Sequence, residues 1–136
     1  MGAVRRSPGT IGYGELVYVV QNNVPFGLVR NGEGVFVRAS LTSVTAAAEA
    51  VLPEVPDDLR FSLADAPGRL SYPIASAVWA VLYADQPAVN RRAVVDFLWW
   101  ATHEGQEHAE GLGYARLPKG LVERIEKKLK NIEMGK

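Results

Sequence analysis

The sequence predicts an α/β chain, on three observations. Residues before Ser71 mix short strand and helix signals broken by glycine, the run Ser71 to Tyr83 is almost continuously apolar, and residues after Pro87 follow helical periodicity. Between Ile74 and Tyr83 only Ser76 is polar, and Val78, Trp79, Val81 and Tyr83 favour a pleated, packed setting. A continuous apolar run between turn residues suits a strand buried on both faces. Periodicity alone leaves a buried helix open, but Pro73 and Asp85-Gln86-Pro87 bound the run tightly, so an interior strand is expected. The run is too short to span a bilayer as a helix, which takes about 20 apolar residues.

The chain has 136 residues, which fits one domain able to bury roughly two thirds of its unfolded surface. Lysine plus arginine number 15 and so do aspartate plus glutamate, so no global field recruits nucleic acid or anionic lipid. Cysteine is absent, which excludes disulfides, thiolate metal sites and a thiol nucleophile, and leaves the compartment open. Residues 1–10 contain no apolar stretch of the kind an export signal needs.

Taken in order, residues 1–10 read as an irregular entry. Three glycines in Gly9 to Gly14 imply a short strand at a close approach, or a turn needing positive φ. Leu16 to Asn23 fits strand or helix; a short helix is expected, because Asn22-Asn23 suits a helix C-terminus and Pro25 blocks continuation. Phe26 to Arg30 and Val35 to Arg38, around Asn31-Gly32-Glu33-Gly34, signal a hairpin. Ser40 caps a helix carrying Leu41, Val44, Ala48 and Val51/Leu52 at helical spacing, which Pro53 and Pro56 end. Residues 57–68 are mostly loop, with a possible strand at Leu59 to Leu63.

Past the run, Pro87 to Glu110 reads as one long helix, stopped by Gly111 and Gly113. Its buried stripe is Val94, Leu98, Ala101/Thr102, Gly105 and Ala109, widened by Val95 and Trp99. Pro118 opens a last helix lined by Leu121/Val122, Ile125, Leu129 and Ile132. Lys127, Lys128 and Lys130 lie near the negative end of its dipole.

No catalytic constellation emerges. His103 and His108 are five apart, about 140° around a 3.6-residue helix, whereas a helical metal pair wants i and i+4; the stretch reads as solvated. Arg5-Arg6-Ser7-Pro8-Gly9-Thr10 has the donors of an anion loop but opens into a strand-like run rather than a helix, so a basic surface loop is expected. Ser71 and Ser76 have no His–carboxylate context. Trp79, Trp99 and Trp100 lack interleaved basic residues and read as core or interface. No residue is assigned as catalytic, ligand-binding or metal-ligating, and no cofactor is called for.

Several stretches read together resemble the periplasmic phosphate-binding protein of the phosphate ABC importer, a type II periplasmic binding protein. They are Pro8-Gly9-Thr10-Ile11-Gly12-Tyr13-Gly14-Glu15 with Tyr18 and Gln21-Asn22-Asn23, then Ser62 to Gly68, Tyr72 to Ser76 and Asp85-Gln86. Val95 to Ala101, Glu104-Gly105-Gln106 and Leu112 to Pro118 complete the set. Their order and spacing cover nearly the whole chain.

The resemblance implies the C-terminal portion of a two-lobed fold, with a mixed sheet, flanking helices and two terminal helices. It implies that residues 1–70 close the second lobe, 71–86 form the interlobe return strand and hinge, and 87–136 are the C-terminal helices of the first lobe. The function implied is inorganic phosphate binding for a membrane permease, outside the cytoplasm and without catalysis or nucleic acid. The family's anion contacts lie upstream of the matching stretches, so none is carried over. An N-terminal half or a second copy is expected to complete the fold. The alternatives are a self-standing interaction module of the same descent and, more remotely, a phosphate-ester hydrolase.

Overall fold

The computed structural model describes residues 2–83 and 87–133. Asp85 and Gln86, at the end of the apolar run, lie outside the described residues. The elements are helices α1 (Gly2–Arg6) and α2 (Leu16–Gln21), strands β1 (Leu28–Arg30) and β2 (Phe36–Arg38), and helices α3 (Leu41–Val51), α4 (Ala88–Thr102) and α5 (Lys119–Glu133). Helical and strand elements coexist, as an α/β chain requires. The sheet is not mixed: among the described residues it is one antiparallel hairpin, with Leu28 opposite Arg38, Val29 opposite Val37 and Arg30 opposite Phe36.

Local rules account for the first half. Residues 1–10 are not irregular throughout, since α1 closes on its own backbone, the Ser7 amide donating to the Ala3 carbonyl at 3.0 Å; it buries nothing. α2 stops at Asn22 as expected, and Asn23 takes a left-handed φ of 51°. The hairpin forms with strands shorter than expected. Ser40 has extended backbone, and its hydroxyl accepts from the Ser43 amide while Ser43 Oγ accepts from the Ser40 amide, a reciprocal box that starts α3.

The core is built where α3 meets the loop 55–66 and the start of α5. Ala47, Val51, Val55, Leu63, Ala66 and Leu121 are buried together, with Ala75, Ala77, Leu117 and Ile125 partly buried against them. Leu59 to Leu63 joins no ladder among the described residues. Its side chains nevertheless alternate, Leu59, Phe61 and Leu63 inward and Arg60 and Ser62 outward, the period of an extended chain. Arg124 on α5 donates to the carbonyls of Leu52 and Val55, satisfying groups left open where α3 ends.

The expected long helix breaks at Thr102. His103 leaves helical geometry at φ −119° and ψ −99°, and short 3₁₀ turns follow at Glu104–His108 and Glu110–Leu112. Gln106 holds the break: its amide donates to the Ala101 carbonyl at 2.7 Å and its oxygen accepts from the Leu117 amide at 2.8 Å. The buried face of α4 is narrower than expected, with Val95 buried and Val94, Leu98, Ala101 and Thr102 half-buried. Val89, Phe97 and Trp100 stand exposed on the opposite side. In α5, Leu121 and Leu129 are buried and Val122, Ile125 and Ile132 half-buried, as the spacing required.

The central run differs most from expectation. It belongs to no strand among the described residues, and its large side chains are open: Ile74 is 70% exposed, Val78 83% and Val81 90%. Ala75 and Ala77 turn inward while Ile74, Ser76 and Val78 turn outward, so the first half of the run keeps an extended period of two with one face on the core, and from Val78 to Tyr83 every residue is exposed. No backbone group from Ile74 to Leu82 has a backbone partner among the described residues. The physical reason is that the described residues supply a floor for the start of the run but no neighbouring strand and no roof.

The surface area of the whole chain is large as well, the exposed segment 5–15 contributing to it beside the run. The chain exposes 9666 Å², whereas a folded monomer of its 14.8 kDa mass exposes about 7,000 Å² by size scaling.

Candidate functional site

The residues that present the central run form one interlocked turn. Asn31, at the hairpin tip, is buried, and its Nδ2 donates to the carbonyls of Gly68, Arg69 and Ser71 at 3.1, 3.3 and 3.2 Å. Its Oδ1 accepts from the Val35 amide at 3.0 Å, which fixes the tip itself. The Gly32 amide donates to Asp65 Oδ1 at 2.8 Å, and the Gly68 amide donates to Glu33 Oε1 at 3.2 Å. A side chain at position 32 would meet the Asp65 carboxylate at 3.0 Å, so glycine permits this approach.

The far side of the turn is as tightly held. Ser71 is 1% exposed, and its hydroxyl donates to the Pro67 carbonyl at 2.6 Å. The Tyr72 amide donates to the Ser43 carbonyl, and the Asp65 amide to the Pro73 carbonyl. The segment 65–73 is therefore fixed to both the hairpin and α3, and the run leaves from a rigid point. Sequence reasoning placed Ser71 at the start of the run and its hinge and gave its hydroxyl no role, and it read Asn31-Gly32 as part of a hairpin loop. The signal present was a polar Asn-Gly-Glu tip facing Asp65 and Gly68, but the pairing spans some forty residues and no local pattern reveals it.

The other motifs are kept apart. Arg5 and Arg6 end α1, and the turn after them is closed by Thr10 Oγ1 donating to the Ser7 carbonyl; the loop is exposed and follows a helix C-terminus. Arg38 lies over the Phe26 ring at 4.4 Å in a groove lined also by Leu16, Val19 and Leu41. The Ser43 amide in the first turn of α3 is occupied by Ser40 Oγ. Ser76 is exposed, its hydroxyl donating to the Ala77 carbonyl.

His103 is not the solvated residue expected. Its ring stacks on Trp99 with centroids 4.2 Å apart and 10° between planes. Nδ1 lies 2.8 Å from the Trp99 carbonyl and Nε2 3.2 Å from Glu126 Oε1, so the ring joins the end of α4 to α5. The bond to the Trp99 carbonyl raises its pKa above the usual 6.5; partial burial opposes this, and Glu126 and Glu104 add to it. His108 is exposed. Among the described residues no three His, Cys, Asp or Glu side chains are placed to hold one metal ion. No helix among them is long and apolar enough to cross a membrane.

No family profile matches the chain. Curated relatives do. The phosphate-binding protein PstS of Xylella fastidiosa strain 9a5c is 32% identical over 124 residues, 90% of this chain and 34% of that protein. PstS of Methanocaldococcus jannaschii is 31% identical over 133 residues, and PstS of Haemophilus influenzae 32% over 129, covering 34% and 38% of those proteins. This chain is thus related in sequence to the phosphate-binding protein PstS family, along nine-tenths of its own length and about a third of theirs.

Proposed function

We propose that this chain is the C-terminal portion of a phosphate-binding component of an ABC importer, working outside the cytoplasm and supplying scaffold and hinge rather than anion contacts. The observation that carries this reading is the central run, an extended apolar segment with a floor of its own chain and no cover, within a sequence matched to PstS proteins. In this reading residues 1–70 belong to one lobe, 71–86 are the crossing, and 87–136 belong to the other. Cleft closure would then hinge near Ser71 to Ala75, of which Ser71 to Pro73 are held by the clasp and Ile74 and Ala75 are left to move. The clasp suits that task, because a hinge needs a fixed support on one side.

The described residues also support the scaffold role by what they do with their polar groups. Asn31, Ser43, Ser71 and Arg124 all bond within the fold. A dehydrated anion needs several donors aimed at one point, and these donors are aimed at carbonyls. The family's phosphate contacts are accordingly assigned to residues outside the matched third. Titration calorimetry of inorganic phosphate into this chain tests the reading, with no submillimolar binding expected; tight stoichiometric binding would overturn it.

A second reading, a self-standing module of the same descent that no longer serves phosphate, is favoured by the chain's own small core around Ala47 and Leu63. Adding the remaining two thirds of a PstS relative as a separate polypeptide discriminates. Restored phosphate binding supports the carrier portion, and no association supports the module.

A further inference from the structure

We infer that Asn31-Gly32 at the hairpin tip is a self-modification site governed by the clasp. The closed clasp keeps Asn31 as the amide; an opening lets the Gly32 nitrogen displace ammonia from the Asn31 side chain, and the clasp does not then re-form. The inference rests on the clasp alone and is independent of the phosphate reading.

The sequence supplies the first argument. Asn before Gly is the pair in which the following backbone nitrogen reaches the carboxamide most freely, because glycine has no side chain to hinder ring closure. Two separate features of the fold use these two residues. Position 31 carries a side chain that donates and accepts at once: Nδ2 serves the carbonyls of Gly68, Arg69 and Ser71 while Oδ1 takes the Val35 amide. Position 32 carries no Cβ, which would stand 3.0 Å from the Asp65 carboxylate. The clasp is thus built from the reactive pair itself.

The geometry supplies the second. Ring closure needs the Gly32 nitrogen without its proton, the Asn31 carboxamide turned onto it, and water at the leaving group. In the closed clasp the Gly32 N–H donates to Asp65 Oδ1 at 2.8 Å, and the negative charge beside it disfavours loss of that proton. The Asn31 carboxamide is tied at both ends, and the residue is 5% exposed. Opening the clasp removes all three restraints together.

The chemistry balances with water as the one co-reactant. The Gly32 nitrogen gives up its proton to solvent and bonds to Asn31 Cγ; the Cγ–Nδ2 bond breaks, and the leaving amino group takes up a proton and departs as ammonia. Water then opens the succinimide at either of its carbonyls, leaving aspartate or isoaspartate. Both products set a carboxylate against three carbonyls where Nδ2 had donated, and isoaspartate also lengthens the backbone of the tip by a methylene. The segment 68–71 loses its anchor either way.

Cleavage by trypsin after Arg30 and Arg38 isolates residues 31–38, in which Asn31 is the only side-chain amide, so the mass of that peptide reads the reaction directly. In mildly alkaline buffer the folded chain should lose this amide at least about tenfold more slowly than the chain in urea, since the reaction waits on local opening. Asp65→Ala, with folding checked by circular dichroism, should narrow that gap. Gly113→Ala, which strains another part of the fold, should leave it unchanged. Should Asp65→Ala fail to fold, Glu33→Ala, which frees the Gly68 amide from the tip, takes its place with the same expectation. Chain converted at Asn31 alone and refolded should unfold at lower urea than the parent. Equal rates folded and in urea, equal acceleration by the clasp variant and Gly113→Ala, or an unchanged midpoint after conversion would overturn the inference. None of these results depends on phosphate, so the calorimetric test of function stands separately.

Discussion

Trp79 stands edge-on to Phe61, with ring centroids 5.0 Å apart and 63° between planes. Through it the central run grips its own chain, and the residues on either side of it, Val78 and Ala80, are exposed. Both rings come from extended segments that alternate inward and outward without joining a ladder. Two strand-like segments therefore lie against one core, packed on it by their side chains.

That contact is measurable. Trp79→Ala should lower stability by about 1 kcal/mol, the order of an aromatic pair beyond its burial. A urea unfolding midpoint shifted down with unchanged slope would show it; an unshifted midpoint would mean that the run does not grip the core.

The clasp at Asn31 should matter more. Asn31→Ala removes the partner of the Val35 amide and of the Arg69 and Ser71 carbonyls, while the Gly68 carbonyl keeps the Ser71 amide, a cost of about 1–3 kcal/mol for buried polar groups. Asn31→Asp keeps the acceptor but sets negative charge against three carbonyls, and should destabilise further. Paired unfolding curves of the two variants check the order.

His103 makes stability depend on pH. Its folded-state pKa is raised above 6.5, chiefly by the Trp99 carbonyl, with Glu126 and Glu104 contributing and Lys130 lying 4.0 Å from Glu126 Oε2. A raised pKa means the stabilisation is complete below 6.5 and fades as pH climbs through the folded value. Unfolding midpoints should therefore fall as pH rises above 6.5, and His103→Gln should flatten that slope. A rise over the same window in the parent chain would contradict the geometry.

Gly113 carries a steric prediction. Its φ is 82°, and an added Cβ would meet Val17 Cβ at 2.6 Å. Gly113→Ala should cost about 2 kcal/mol from backbone strain, with the clash adding to it. Combining it with Val17→Ala should recover only part of the loss, since alanine keeps the Cβ that stands at 2.6 Å and the strain remains. Full recovery would assign the whole effect to packing.

Elements set by neighbours in sequence were legible. Ser40 announced α3, Asn22 and Pro25 closed α2, and the spacing of Leu121 and Leu129 gave α5, because capping, proline sterics and periodicity act within a few residues. The hairpin was legible for the same reason, though not Asn31's second task. The break at Thr102 was missed because Gln106 and His103 enforce it through partners on Ala101, Leu117 and Glu126. The run was legible as an apolar extended segment and not as to what covers it, since burial is supplied by chain far away or by another molecule. The candidate site follows the same division: its turn could be read, its forty-residue clasp could not.

Light scattering with a hydrophobic dye tests the central claim most directly. If the run at 74–82 was shaped to be covered by another strand, the isolated chain should run heavier than its 14.8 kDa mass or bind the dye strongly. A monodisperse particle of that mass which leaves the dye dark would contradict the account.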